Sequence, residues 1–259
     1  MEVFLYAVIF IIGTFFGSFF TLAVYRIPLK KDITHERSFC PNCNHRLELL
    51  DLIPVFSYIF LGGKCRYCKE KIRPRYLLLE ILTGIVFVLF AMGVKINLYN
   101  LQISKILFLV YGLLYISTLF ILAGIDKENH LVPKGVLIFG FVISLMYIIY
   151  LYILNISVYK YVIYLILMFI AMIIDIIKTK KNKKQYYALD VFTLCMYMAI
   201  GTDALVVIIG MILSLFLIAI KQVRIAKKYK IDTTNNVIPI VYFLCVTNIL
   251  ILMIQNITI

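Results

Sequence analysis

The sequence predicts an all-α polytopic membrane protein of about eight transmembrane helices, with a small cytosolic four-cysteine zinc-binding insertion between the first and second. Three observations predict it. Of 259 residues, 63% are hydrophobic and 15% charged, with a mean hydropathy of +1.00, whereas a soluble domain runs nearer a quarter charged. Apolar stretches long enough for a bilayer recur along the chain. Four cysteines fall in two matched pairs inside the most basic segment. The apolar excess excludes an ordinary soluble globule, a disordered chain and a disulfide-stapled mini-protein.

A helix needs about 20 mainly apolar residues to cross the hydrocarbon. Such windows fall near 3–25, 76–94, 105–125, 135–154, 159–177, 189–202, 204–220 and 237–256. The sixth is short, and Gly201-Thr202-Asp203 alone separates it from the seventh, so that pair reads as two tilted helices or one re-entrant segment. The expected organisation is a first transmembrane helix over 1–25, a cysteine domain over 26–75 and a core of the remaining helices over 76–259. The first helix reads as a retained anchor and not a cleaved signal peptide: only Glu2 precedes the apolar run, the run is too long, and positive residues follow it. Within it, Gly13 and Gly17, extended by Ser18, form a small-xxx-small pair that lets another backbone approach.

Of the 26 Lys and Arg, eleven lie in 26–75, two in 127–134, five in 178–188 and five in 221–236. Only Lys95, Lys105 and Lys160 fall on the other side of alternating spans. The positive-inside rule then places the four basic segments in the cytosol and both termini outside. The net charge of +13 therefore reports topology. Basic residues parcelled out loop by loop do not make the contiguous face that nucleic acid requires, so the expected surroundings are a lipid bilayer and no nucleic acid.

Cys195 and Cys245 sit alone in apolar spans and read as small core hydrophobes. The other four form CPNC, with Cys40 and Cys43, and CRYC, with Cys65 and Cys68. Each C-x2-C knuckle curls so that two thiolates face one ion, and four thiolates close the tetrahedral shell of structural Zn²⁺. A reducing cytosol argues against disulfides, and two matched knuckles argue against a catalytic redox pair. Arg66, Lys64 and Lys69 are placed to offset thiolate charge, and His45 reads as a surface residue. A segment of about fifty residues buries little core unaided, and a metal compensates. Pro54, Gly62-Gly63 and Pro74 should divide it into loops and short strands.

The carboxylates sort by depth. Asp32, Glu36, Glu48, Asp51, Glu70 and Asp232 fall in soluble segments and read as solvated; Glu2 and Asp203 fall on the outer side. Glu80, Asp126, Glu128, Asp175 and Asp190 lie within or at the cytosolic ends of spans, where a carboxylate is costly unless it faces the bundle, and is a functional candidate. Asp126 and Asp190 are the best pair, at one level on helices able to be neighbours. Two close carboxylates share one proton, so one activates water while the other protonates a carbonyl oxygen or leaving amine, which is aspartic-protease chemistry. Asp126 ends a helix and Asp190 begins one, and helix polarity then makes Asp190 the base and Asp126 its protonated partner. The structural alternatives are an Asp126 tied to Lys127 or Lys134 and an Asp190 that merely caps its helix. Asp175 is the rival second acid, with Lys178 one turn along to neutralise it.

These residues together resemble the bacterial type IV prepilin peptidases. GSFFTLAVYRIP (17–28), CPNC and DLIPVFSYIFLGGKCRYCKEKIRPRYLLLEILTG (51–84) carry the resemblance in the N-terminal third. IDKENHLVP (125–133) resembles the segment around the family's first catalytic aspartate, with Asp126 in that position and Glu128 on a second acid. Val132 stands in place of a leucine and Lys134 in place of an acid. The family's Gly-x-Gly-Asp reads Tyr187-Ala188-Leu189-Asp190 here, so both glycines are replaced while Asp190 keeps the aspartate position; Phe192 stands where a lysine is usual. The tail around Pro239 is only faintly similar.

The resemblance implies a membrane-embedded aspartic endopeptidase of the bacterial cytoplasmic membrane. It would cut the basic leader from prepilins or pseudopilins at the cytosolic membrane face, and those precursors would be its partners. It also implies a second activity, methylation of the new N-terminus with S-adenosylmethionine, associated with the cysteine domain; no nucleotide-binding glycine motif accompanies it. Two other classes compete: a catalytically silent prepilin-binding homologue, motivated by the missing glycines, and a proton-coupled transporter using Asp126, Asp175 and Asp190. Against the transporter, these acids cluster at one face instead of at a midplane helix break.

Overall fold

The computed structural model describes residues 2–96, 102–182, 187–229 and 238–258. Eight long helices follow the apolar windows: α1 (Glu2–Arg26), α3 (Arg75–Val94), α4 (Ile103–Asn129), α5 (Lys134–Ile153), α6 (Tyr159–Asn182), α7 (Tyr187–Gly201), α8 (Ala204–Tyr229) and α9 (Ile240–Thr258). A ninth, α2 (Phe56–Phe60), lies in the insertion between α1 and α3. Six are long and apolar enough to cross a membrane; α7 and α9 are shorter apolar helices. At 1.5 Å per residue the 15 residues of α7 cover only about 22 Å, short of a hydrocarbon core of about 30 Å. The break at Gly201-Thr202-Asp203 falls between α7 and α8, which makes the pair two helices.

The chain divides into two compact units, Met1–Leu109 with Asn256–Ile259, and Val110–Gln255. The first is organised by α1 lying against α3. Glycine is required at their crossing: a Cβ on Gly13 would come within 2.7 Å of the Gly84 Cα, and one on Gly17 within 2.7 Å of the Glu80 Cα. The obstructing atoms are backbone, so a side chain there would have to part the helices. Phe20, Phe87, Phe90 and Ala91 form the buried seam, and the Phe16 and Phe87 rings meet at 5.6 Å.

In the second unit, α7 packs against α5, α6 and α8. Its core draws on Tyr115, Ile116, Leu119, Leu122 and Ile125 of α4 and on Leu194, Met198 and Ile200 of α7. The opposite faces of α6 and α8 expose Ile163, Ile166, Phe169, Ile208, Ile212 and Leu215, the expected dressing of helices whose solvent is lipid. α4 ends at His130, which turns into the left-handed region at φ 52° while its N–H closes onto the Asp126 carbonyl at 3.0 Å. Pro133 then opens α5, so α4 and α5 are joined by four residues.

No strands form among the described residues of the insertion, contrary to expectation; pairing is confined to isolated bridges, Phe39 with Arg46 and Lys64 with Lys71. The arms of each cysteine knuckle are too short to extend a ladder, and a 3-10 turn at Leu49–Leu52 and α2 fill the space between them. Asp232, with the rest of 230–236, and Lys183 and Lys184 lie outside the described residues.

Candidate active site and cysteine cluster

Asp126, Asp175 and Asp190 are buried, with exposures of 0%, 3% and 1%. Each occupies the expected helix end: the last turn of α4, the C-terminal part of α6 and the first turn of α7. Tyr187, three residues before Asp190 on α7, donates its phenol to Asp126 Oδ1 at 2.6 Å. The other carboxylate oxygen accepts the Tyr242 backbone N–H at 2.9 Å, and the Tyr187 oxygen accepts the Val241 N–H at 3.3 Å. Both N–H groups belong to the first turn of α9, whose free backbone donors point at the site as at any helix N-terminus. Asp126 is thus bound to the α7 turn that carries Asp190, and neither Lys127 nor Lys134 holds it. Lys127 instead lies over the Tyr242 ring at 4.9 Å.

Helix polarity on its own does not divide the roles of the pair. The C-terminal end of α4 disfavours negative charge at Asp126 while the N-terminal end of α9 favours it, and only the first of these was visible along the sequence.

Asp175 is engaged elsewhere. Lys134, at the start of α5, lies 2.7 Å from Asp175 Oδ2 and also donates to Thr179 Oγ1 at 2.8 Å, while the Thr179 hydroxyl donates to Asp175 Oδ1 at 3.2 Å. The expected neutralising partner, Lys178, is replaced by a lysine from another helix. Asp175 and Asp190 both line a narrow cavity with Lys134, Leu137, Met172 and Thr193. Asp190 thus shares a cavity with Asp175, while Asp126 is tied by Tyr187 to the helix turn that bears Asp190. Glu128 is exposed on the last turn of α4.

The cysteine cluster forms as the spacing predicts. The four Sγ atoms of Cys40, Cys43, Cys65 and Cys68 lie within 4.8 Å of one another. Both knuckles fold alike: the Cys40 N–H donates to the His45 carbonyl at 3.0 Å and the Cys65 N–H to the Glu70 carbonyl at 2.8 Å, with left-handed Asn44 and Lys69 making the two turns. Cys40 Sγ and Cys68 Sγ are 3.8 Å apart. Four sulfurs at about 2.3 Å from one Zn²⁺ would be separated by about 3.8 Å along a tetrahedron edge, the separation of Cys40 and Cys68, and the whole set, within 4.8 Å, fits zinc once the longer pairs close in. The Cys68 thiol is brought down to about 7, chiefly by the Glu70 backbone N–H, whereas against the pull of the His45 backbone N–H, burial and the Cys40 and Cys68 thiols push Cys43 up to about 11.

Two expectations about the flanking charges are corrected. Asp51 is not solvated: its buried carboxylate takes Arg66 Nε at 2.7 Å and the Glu48 N–H at 3.2 Å. Arg66 therefore pairs with a carboxylate instead of standing against the thiolates. His45 lies outside the cluster, its ring 3.5 Å from that of Tyr67. Sequence reasoning missed three groups, Tyr187, the first turn of α9 and Lys134. Pro239, just ahead of α9, was the available signal for the second.

Residues 11–94 match the model of the bacterial peptidase A24 N-terminal domain. Curated relatives named prepilin leader peptidase/N-methyltransferase include one from Klebsiella pneumoniae, 36% identical over 137 residues, covering 49% of this chain and 54% of the relative. One from Bacillus subtilis is 35% identical over 133 residues, covering 51% and 50%, and one from Vibrio cholerae is 33% identical over 141 residues, covering 51% and 52%. The chain spans about half the length of the curated relatives it matches. No solved structure matches it significantly. Over residues 11–94 the chain is thus similar to the bacterial peptidase A24 N-terminal domain, and over about half its length to proteins named prepilin leader peptidase/N-methyltransferase.

Proposed function

We propose that the protein is a membrane-embedded aspartic endopeptidase that removes the basic leader of type IV prepilins or pseudopilins at the cytosolic face of the inner membrane. The observation that carries this reading is the buried Asp126, bound by Tyr187 to the turn of α7 that bears Asp190. Among the described residues no lysine or arginine holds Asp126, and together with the acid one turn from Tyr187 it offers the two carboxylates that a proton-sharing dyad needs. One carboxylate takes a proton from water as its oxygen bonds to the scissile carbonyl carbon. The other gives its proton to the carbonyl oxygen, and collapse of the tetrahedral intermediate expels the amine, which takes a proton back from the pair.

The charge distribution supports the orientation. With 23 of 26 Lys and Arg in the four basic segments, the cysteine domain and the acid pair would face the cytosol and both termini would lie outside. Cys40, Cys43, Cys65 and Cys68 would hold Zn²⁺, which supplies a structural tie between two knuckles and no catalytic position, since four thiolates fill its shell. N-methylation of the cleaved product with S-adenosylmethionine is proposed from the relatives' names alone.

Tyr187 favours a second reading, a prepilin-binding homologue without catalysis, because it brings a bulky phenol where the family has glycine. Co-expression of a prepilin with the wild type, Asp126→Ala and Asp190→Ala separates the two. Leader removal by the wild type alone, read from the N-terminus of the product, supports the peptidase. A precursor that stays intact with the wild type but co-purifies with it supports the silent homologue.

A further inference from the structure

The stretch between the two cysteine knuckles exposes an apolar surface that the peptidase reading leaves unused. Leu49 is 86% and Phe60 84% exposed, and Leu50, Phe56 and Ile59 are exposed with them. A water-soluble module would not present so many large apolar side chains within twelve residues.

Its attachment fixes its level. The Val55 N–H donates to Glu80 Oε2 at 2.7 Å, and Glu80 is buried in the sixth residue of α3. At 1.5 Å per residue that is about 7–8 Å inside the first residue of α3, Arg75. Glu80 also packs against Gly17 of α1, nine residues or about 13 Å inside Arg26. The Glu80 backbone thus lies inside the arginines that end both helices, and its side chain, which tilts back toward the N-terminal end of α3, holds the segment close against that end. The bend that takes it there is strained. Val55 has φ 65° and ψ −54°, and the Phe56 N–H closes onto the Pro54 carbonyl at 2.6 Å, a γ-turn of the rare kind, centred on a β-branched residue. Such geometry persists only where its surroundings hold it, and the Glu80 carboxylate is the holding group. The domain around it is basic, since 26–75 carries eleven Lys and Arg against five acids, and Lys64, Lys69, Lys71 and Arg73 are exposed.

We propose that residues 49–60 form an interfacial membrane anchor, whose Leu49, Leu50, Phe56, Ile59 and Phe60 enter the acyl region of an anionic leaflet while the surrounding lysines and arginines meet its headgroups. The lipid continues the surface that already surrounds α1 and α3, and the cysteine domain is thereby held against the bilayer instead of swinging free on it.

The absence of tryptophan from the chain gives a clean test. Phe60→Trp and, as a control in the polar part of the same domain, His35→Trp are reconstituted as full-length protein in vesicles of phosphatidylcholine and phosphatidylglycerol. Tryptophan emission is then read with brominated acyl chains and, separately, with aqueous acrylamide. Insertion predicts that brominated lipid lowers Phe60→Trp emission by roughly twofold or more while acrylamide has little effect, with the reverse for His35→Trp. Phe60→Trp emission that follows acrylamide as His35→Trp does would overturn the proposal. Protection from both quenchers would also overturn it, by assigning the surface to protein.

Discussion

Replacing Tyr187 is the perturbation whose direction differs most between the two functional readings. In Tyr187→Phe the ring stays and the 2.6 Å bond to Asp126 is lost, as is the acceptor for the Val241 N–H. A hydrogen bond to a carboxylate contributes about 1.5–3 kcal/mol. If the bond holds Asp126 in its working orientation, that becomes roughly a 10- to 100-fold fall in turnover. The loss should appear in kcat with KM little changed, because the phenol is engaged by the enzyme's own carboxylate and not by the peptide. Tyr187→Gly restores the family's residue and removes the ring as well. A positioning role predicts a slower enzyme in both variants, whereas an obstructing tyrosine predicts that glycine speeds cleavage or creates it. The assay is cleavage of a synthetic prepilin leader peptide by purified protein in vesicles, followed by mass. Turnover within twofold of the wild type in Tyr187→Phe would refute the reasoning.

Other consequences follow from the packing and the metal site. Zinc should be present at one per chain and vanish in the Cys40→Ser, Cys65→Ser double variant, measured by elemental analysis; full retention contradicts the four-thiolate shell. Gly17→Leu drives a side chain into the Glu80 backbone and should destabilise α1 against α3 by about 1–3 kcal/mol or more, seen as a lower unfolding midpoint in detergent. Gly135→Ala, with open space around it, should change nothing. Asp175→Asn leaves Lys134 without its partner; breaking a buried pair costs about 3–5 kcal/mol, and with Lys134 one-third exposed the low end applies. Its cleavage activity should persist, whereas loss of cleavage with a wild-type midpoint would identify Asp175 as the second acid.

Hydropathy placed the long helices because a bilayer demands long apolar stretches whatever the tertiary contacts. The C-x2-C spacing likewise foretold the four-cysteine cluster, since each knuckle is local, and Gly13 and Gly17 announced a close helix contact through their four-residue interval. What could not be read were bonds between distant elements. Tyr187 meets Asp126 from 61 residues away and Tyr242 from 116. Along the sequence Tyr187 registered only as a lost glycine. Lys134 reaches Asp175 from another helix, where sequence neighbours pointed to Lys178. Asp51 and Arg66 were each assigned to solvent or thiolate by position alone, and they pair because the turn at Leu49–Leu52 folds one beside the other.

The central claim is that Asp126 and Asp190 cut a peptide bond. The most direct measurement is the single-turnover rate of leader-peptide cleavage by wild-type, Asp126→Asn and Asp190→Asn protein in vesicles, with peptide binding measured in parallel. Each amide keeps the volume of the side chain and removes its proton chemistry. Either variant should fall by roughly a thousandfold or more while binding the peptide as the wild type does. Cleavage at a wild-type rate by either variant would contradict it.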